Sequence, residues 1–157
     1  MFTIKTTHPQ NTDLQQLIAE LDAFQSVLYP AESNHCLDLT TVEDGVLHCL
    51  MVTDAADHPV GCGAILLQGD GGAELKRIYV RPAWRGHQLG EAIVQHLETL
   101  AVQQGCEVTR LETGNQQQAA IRLYEKMGYR QCAAFPPYLP DPLSVFMMKP
   151  LHAMPET

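Results

Sequence analysis

A chain of 157 residues with 45% hydrophobic residues has the length of one domain and enough apolar material for a core. Its net charge of −8 argues against nucleic acid as a partner, and the charge is uneven: up to Leu75 only Lys5 stands against eleven Asp and Glu, about −10, so the remainder is about +2. Cys36, Cys49, Cys62, Cys106 and Cys132 are odd in number with no CxxC spacing, which disfavours a disulfide framework or a zinc knuckle; the opening MFTIKTTHPQ lacks the make-up of a signal peptide and no run nears the roughly 18 apolar residues of a membrane span, so a cytoplasmic protein without metal or membrane partner is expected.

In chain order, residues 2–5 read as a short strand and 11–28 as a helix, with Leu14, Leu17, Ile18, Leu21 and Phe24 on one stripe and Asn11, Thr12 or Asp13 as its cap. Tyr29-Pro30 stops it, and 31–39 reads as a second short helix or an irregular segment. The apolar runs 46–53 and 60–68, separated by DAADHP, read as a hairpin, and GDGG turns the chain into a strand over 73–80. Beyond Gly86 strand and helix alternate. Leu89, Ile93, Leu97 and Leu100 recur at helical spacing until Gly105, 106–113 reads as a strand, and 119–127 as a helix closed by Gly128. Residues 129–135 and 144–149 supply two last strands around the loop PPYLPDPL. The fold class is α+β: a single domain with a mixed, mostly antiparallel sheet of about six to seven strands flanked by helices.

The segment 74–90, ELKRIYVRPAWRGHQLG, carries the strongest chemical signal. A strand, a glycine-bearing turn and a helix start together leave main-chain N–H groups and the positive end of a helix dipole facing the turn, which is an anion site. Lys76, Arg77, Arg81 and Arg85 lie here beside one acid, Glu74; they either draw an anionic ligand or are solvated surface charges. Along 74–80 the apolar residues Leu75, Ile78 and Val80 slip phase by one near Arg77, which signals either a β-bulge or a strand end buried on both faces.

With LETGNQQQAAIRLYEKMGY following, residues 73–129 resemble the GNAT superfamily of acyl-CoA-dependent N-acetyltransferases, with an extension to 149. The Rossmann GxGxxG and the P-loop pattern are both absent. The resemblance implies an acceptor-side part over 1–72, an acetyl-CoA-binding core over 73–129 with a splayed or bulged fourth strand, and C-terminal strands and loop over 130–157. It implies that Arg85, Gly86, His87, Gln88, Leu89 and Gly90 cradle the pyrophosphate of acetyl-CoA, with Gln88 where the middle glycine is usual. Ile78, Tyr79 and Val80 would offer main chain to the pantetheine arm, one N–H near Ile78 polarising the thioester carbonyl. Tyr124 matches the tyrosine near the CoA sulfur, and Gln117 falls where relatives carry an asparagine that touches the pantetheine arm. By itself Tyr124 also reads as a core aromatic.

The attacking amine must lose a proton, and Glu74 and Glu112, each in an otherwise apolar strand, are the candidate bases. Glu112 matches a carboxylate used by some relatives; the alternative for either is an ion pair, as of Glu112 with Arg110 or Arg77. The acceptor pocket is expected from Tyr29, Glu32, Ser33, His35, Tyr138 and Ser144, which form no recognisable constellation. No cysteine lies in either motif, so direct transfer to a small primary amine (an amino acid, a polyamine-like or a xenobiotic amine) is the expected activity. The alternatives are a protein N-terminus or lysine as acceptor, or a non-catalytic acyl-CoA sensor, and relatives suggest a homodimer.

Overall fold

The computed structural model describes residues 1–29, 38–43 and 45–151. Glu32, Ser33, His35 and Cys36, and most of the segment 31–39, lie outside them. After β1 (Thr3–Thr7) and helix α1 (Thr12–Leu28), strands β2 (Leu47–Thr53), β3 (Pro59–Leu67) and β4 (Gly72–Val80) form an antiparallel meander with β1 at its edge. Then come α2 (Leu89–Gln103), β5 (Val108–Gly114), α3 (Gln118–Lys126), a two-residue β6 (Arg130–Gln131) and β7 (Ser144–Pro150). One seven-stranded sheet results, in the order β1-β2-β3-β4-β5-β7-β6, with β4 and β5 parallel because α2 carries the chain from one to the other. The expected mixed sheet flanked by helices is therefore what these residues build.

The helices cover opposite faces. Asn11 caps α1, its side chain accepting from the Leu14 N–H at 3.0 Å, and Leu14, Leu17 and Leu21 pack on Cys49, Cys62, Ala64 and Tyr79. Phe24, expected on that buried stripe, is 49% exposed instead, because the stripe ends at Leu21 where the sheet beneath α1 falls away to a cleft. On the other face, Ile93, Val94 and Leu97 of α2 are fully buried against Leu50, Val52, Ile65 and Leu75, each worth about 1.5–3 kcal/mol of burial. Gly63 lets α2 come this close, since a Cβ there would stand 2.7 Å from Ile93 Cγ2.

Two departures shape the site. Lys76 pairs with Ala64 and Tyr79 with Cys62, so Arg77 and Ile78 together face Gly63, and Arg77 adopts φ 53°. The phase slip is a β-bulge: Leu75, Ile78 and Val80 all reach the α2 face, while Tyr79 turns to α1. The second concerns the expected strand 129–135, which is reduced to Arg130–Gln131. After Cys132 donates to the Phe146 carbonyl, the chain leaves the sheet edge and lays Phe135 and Tyr138 on Phe146, at ring separations of 5.6 and 5.7 Å. Burying two aromatics on the uncovered side of β7 outweighs a few more edge hydrogen bonds.

Candidate active site at the β4–β5 fork

Strands β4 and β5 pair only from Gly72–Val108 to Leu75–Leu111 and then diverge. Beyond that point the side of β4 towards β5 has no strand partner among the described residues, and a cleft opens, lined on β4 by Lys76, Arg77 and Ile78 and on β5 by Glu112, Thr113 and Gly114. The same cleft takes in Glu74, Tyr29, Tyr124, Gln117 and Tyr138. Residues spread over more than a hundred positions of sequence thus meet at one fork. Leu111 and Glu112, adjacent along β5, face opposite sides of the sheet. Tyr124 packs with Leu75 and Leu111 on the α2–α3 side, so Glu112 looks to the α1 side and Tyr124 to the other.

On the α1 side, Glu74 is 2% exposed and held twice: Lys76 Nζ donates to its Oε2 at 3.1 Å and the Tyr138 hydroxyl donates a short bond to the same oxygen. Lys76 Nζ also donates to the Tyr138 hydroxyl at 3.0 Å. Burial, reinforced by the Glu74 charge and hydrogen bond, pushes the Tyr138 phenol well above its ordinary range. Glu112 accepts from Ser144 Oγ at 2.8 Å. Arg110 reaches across β4 to Asp70 at 3.1 Å and Gln68 at 2.6 Å. Tyr29 ends α1 and closes this side, its hydroxyl accepting from the Gln116 N–H at 3.0 Å.

On the opposite side the Tyr124 hydroxyl makes no hydrogen bond among the described residues, and burial alone drives its pKa far upward, so it stays protonated. Gln117 stands at the N-terminus of α3, but its Oε1 is committed to Thr113 Oγ1 at 3.2 Å and the Gly114 N–H at 3.0 Å, which leaves its amide nitrogen as the end open to a ligand.

The glycine-bearing loop enters α2 through a 3-10 turn at Pro82–Trp84, then Arg85 to Gln88. Gln88 takes φ 60° and ψ 25°, the left-handed conformation a glycine would adopt, and provides no side-chain cap. The N–H groups of Leu89 and Gly90 in the first turn of α2 are left to face the loop. Arg85, Gly86, His87 and Gln88 are exposed; Arg85 Nε donates to the Val80 carbonyl at 3.2 Å, and the His87 ring leans on Phe2 and Trp84, at 5.6 and 6.3 Å.

Of the two readings of the four basic residues, ligand attraction or solvated surface charge, neither describes the side-chain partners of three of them. Lys76 pairs with Glu74, Arg77 with Asp22 at 3.0 Å and Arg81 with Glu20 at 2.8 Å, so three of them tie to carboxylates, two of these on α1. Opposite charges on α1 and β4 are brought together by packing, a contact 55 to 61 residues apart in sequence. Ile78 lines the cleft; the Tyr79 side chain is buried under α1 and donates to Glu20, so only its main chain remains for a cofactor. Cys49 and Cys62 are buried thiols pushed up to about 11 and about 12, and no cysteine lines the cleft among the described residues. Sequence reasoning missed Lys76 as a cleft residue. Its signal was the i, i+2 spacing from Glu74, which puts both on one strand face.

The model of the acetyltransferase (GNAT) family matches residues 14–129. The chain is 44% identical over 150 residues, 95% of its length and 97% of the relative's, to a protein of Azospirillum brasilense named IAA acetyltransferase. A crystal structure from Klebsiella pneumoniae subsp. pneumoniae, described as an acyl-CoA N-acyltransferase, superposes with a TM-score of 0.89 at 44% identity, covering 97% of this chain and 99% of that one. The PaiA N-acetyltransferase of Thermoplasma acidophilum, solved in complex with coenzyme A, shares the fold at a TM-score of 0.72 and 18% identity, covering 96% of this chain and 99% of that one.

Proposed function

The chain belongs to the acetyltransferase (GNAT) family, whose members draw the acyl group from acetyl-CoA, and from that premise we propose that it transfers acetyl directly to the primary amine of a small molecule bound on the α1 side of the fork. The observation that carries this reading is the disposition of Glu112 and Tyr124, one on each side of the diverging strands. A base on the acceptor side and an acid on the donor side are what acyl transfer from a thioester to an amine requires.

The residues present fit acetyl-CoA. The uncapped start of α2, with Gly86, Gln88, Leu89 and Gly90 around it, offers main-chain N–H groups to a pyrophosphate. The edge of β4 from Lys76 to Val80, which lies beyond the end of its ladder with β5, offers main-chain hydrogen bonds to a pantetheine arm, with the Gln117 amide beside it. When bound, acetyl-CoA supplies an activated acetyl carbon and a thiolate leaving group.

Glu112 takes the proton that the acceptor nitrogen sheds as the new N–C bond forms. Of the two candidate bases Glu112 is favoured, since the Glu74 carboxylate is tied to Lys76 and Tyr138. Ser144 orients the Glu112 carboxylate. As the C–S bond breaks, the Tyr124 O–H donates to the sulfur; burial keeps that proton on the phenol until sulfur claims it. An N–H of the bulged segment near Ile78 stabilises negative charge on the carbonyl oxygen, a contribution of about 3 kcal/mol in comparable sites. The lack of a cysteine among the described cleft residues supports transfer without a covalent acetyl-enzyme.

The test is a thiol-release assay with acetyl-CoA and a panel of primary amines. Release that depends on an amine, with acetylated amine as product, is the expected result. Release that is indifferent to every amine would sink the proposal.

A further inference from the structure

Lys76 is the part of the cleft that the mechanism above leaves without a task. Its side chain is 7% exposed, yet it lines the cleft beside the proposed base. An ammonium has three N–H donors. Two go to Glu74 Oε2 and to the Tyr138 hydroxyl; the third has no partner among the described residues. Glu74 balances the charge of Lys76 without satisfying that donor, and a charged donor left unpaired in a buried site is costly. The strand register adds direction. Leu75 and Leu111 are the last pair of the β4–β5 ladder, so Lys76 and Glu112 occupy the next positions on the two diverging strands, on the same, α1-facing side of the sheet.

We infer that Lys76 recognises a carboxylate carried by the acceptor beside its amine, so that the acceptor is an amino acid or a closely similar amino-carboxylate. This rests on the amine-transfer reading above and narrows it. A carboxylate at Lys76 completes the third donor with a charge-assisted hydrogen bond and sets the neighbouring amine towards Glu112. The Tyr138 hydroxyl, held between Lys76 and Glu74, keeps the ammonium in position. A diamine would instead bring a second cation against Lys76. A peptide N-terminus would offer a neutral carbonyl there. Sites built to bond a polar group reject analogues that lack it more strongly than apolar pockets reject a missing methyl group.

The experiment uses the full chain saturated with CoA and matched sets of ligands: an α-amino acid, its carboxamide and the amine lacking the carboxylate. Binding is measured by calorimetry and, with acetyl-CoA in place of CoA, turnover by thiol release. The acid is expected to bind at least about tenfold more tightly than its carboxamide, and Lys76→Met to remove that difference while CoA affinity is kept. Because Lys76→Met strands Glu74 without its cation, the double variant Glu74→Gln/Lys76→Met is measured beside it, and the wild-type comparison stands without either. Acid binding no better than carboxamide binding, including no measurable binding of either, overturns the inference. Equal use of carboxamides and acids overturns it too, and points to a peptide N-terminus. Acid-selective binding without turnover on any amine would overturn the transfer reading and leave the carboxylate site standing, so the two failures are distinct.

Discussion

Glu74 and Glu112 differ in what surrounds each carboxylate, and that difference separates their roles. Glu112→Gln removes the proposed base: kcat should fall about 10²- to 10³-fold, with CoA affinity kept. Glu74→Gln leaves Lys76 buried without its counter-charge, so its main effect should be a loss of about 3 kcal/mol of stability in urea unfolding. Equal kinetic losses with no stability difference would assign the roles wrongly. Tyr124→Phe should lower kcat about 10²-fold with little change in CoA binding, and the wild type should show no alkaline limb from Tyr124 near neutral pH, because burial holds the phenol protonated. The candidacy of these three residues was legible in the sequence, since the motif points to Tyr124 and a lone carboxylate in an apolar strand marks Glu74 and Glu112. The rank of Glu74 against Glu112 was not, because it depends on Tyr138 arriving at Glu74 from a loop and Ser144 at Glu112 from β7.

At the scale of elements, α1 is clamped to β4 by Arg81–Glu20 and Arg77–Asp22. The hydrogen bond from Arg81 lowers the Glu20 pKa below its ordinary 4.5. A carboxyl depressed in the folded state contributes stability that is present above 4.5 and is lost as pH falls through the folded value. Melting temperature should therefore drop more steeply below pH 4.5 for the wild type than for Glu20→Gln; parallel curves would remove the clamp as a source of acid sensitivity. The start of α2 gives a second test. Gln88 holds a left-handed conformation that costs a side-chain-bearing residue about 1 kcal/mol relative to glycine. Gln88→Gly should raise stability by up to about that amount and leave CoA affinity equal or better, whereas a weakened affinity would mean that the Gln88 side chain itself contacts the ligand. The helices and the phase slip near Arg77 were readable because each shows in a local periodicity; that the slip is a bulge came from the register against β3. The expected strand 129–135 was not, since its residues alternate well enough for an edge but gain more by folding Phe135 and Tyr138 over Phe146.

Across the whole molecule, a ligand that binds the folded chain alone stabilises it by mass action, about 2.7 kcal/mol at a hundred times its dissociation constant. Acetyl-CoA and CoA should raise the melting temperature in proportion to the logarithm of their concentration, and NAD and ATP should leave it unchanged; the absence of a shift at millimolar CoA would count against the loop and fork as its site. By themselves the 157 residues determined the α+β class, the order of most elements, the glycine-bearing turn ahead of α2 and the place of Tyr124 on α3. Each of these rests on near-neighbour spacing: alternation along a strand, a stripe along a helix, a glycine at a turn. Only the tertiary structure decided that β4 and β5 part after Leu75, that Glu112 and Tyr124 end on opposite sides of that fork, and that three of the four basic residues serve carboxylates instead of a phosphate. The physical reason is range. Side-chain partners 55 to 64 residues apart meet through packing and strand register, and no local pattern in the chain records who meets whom.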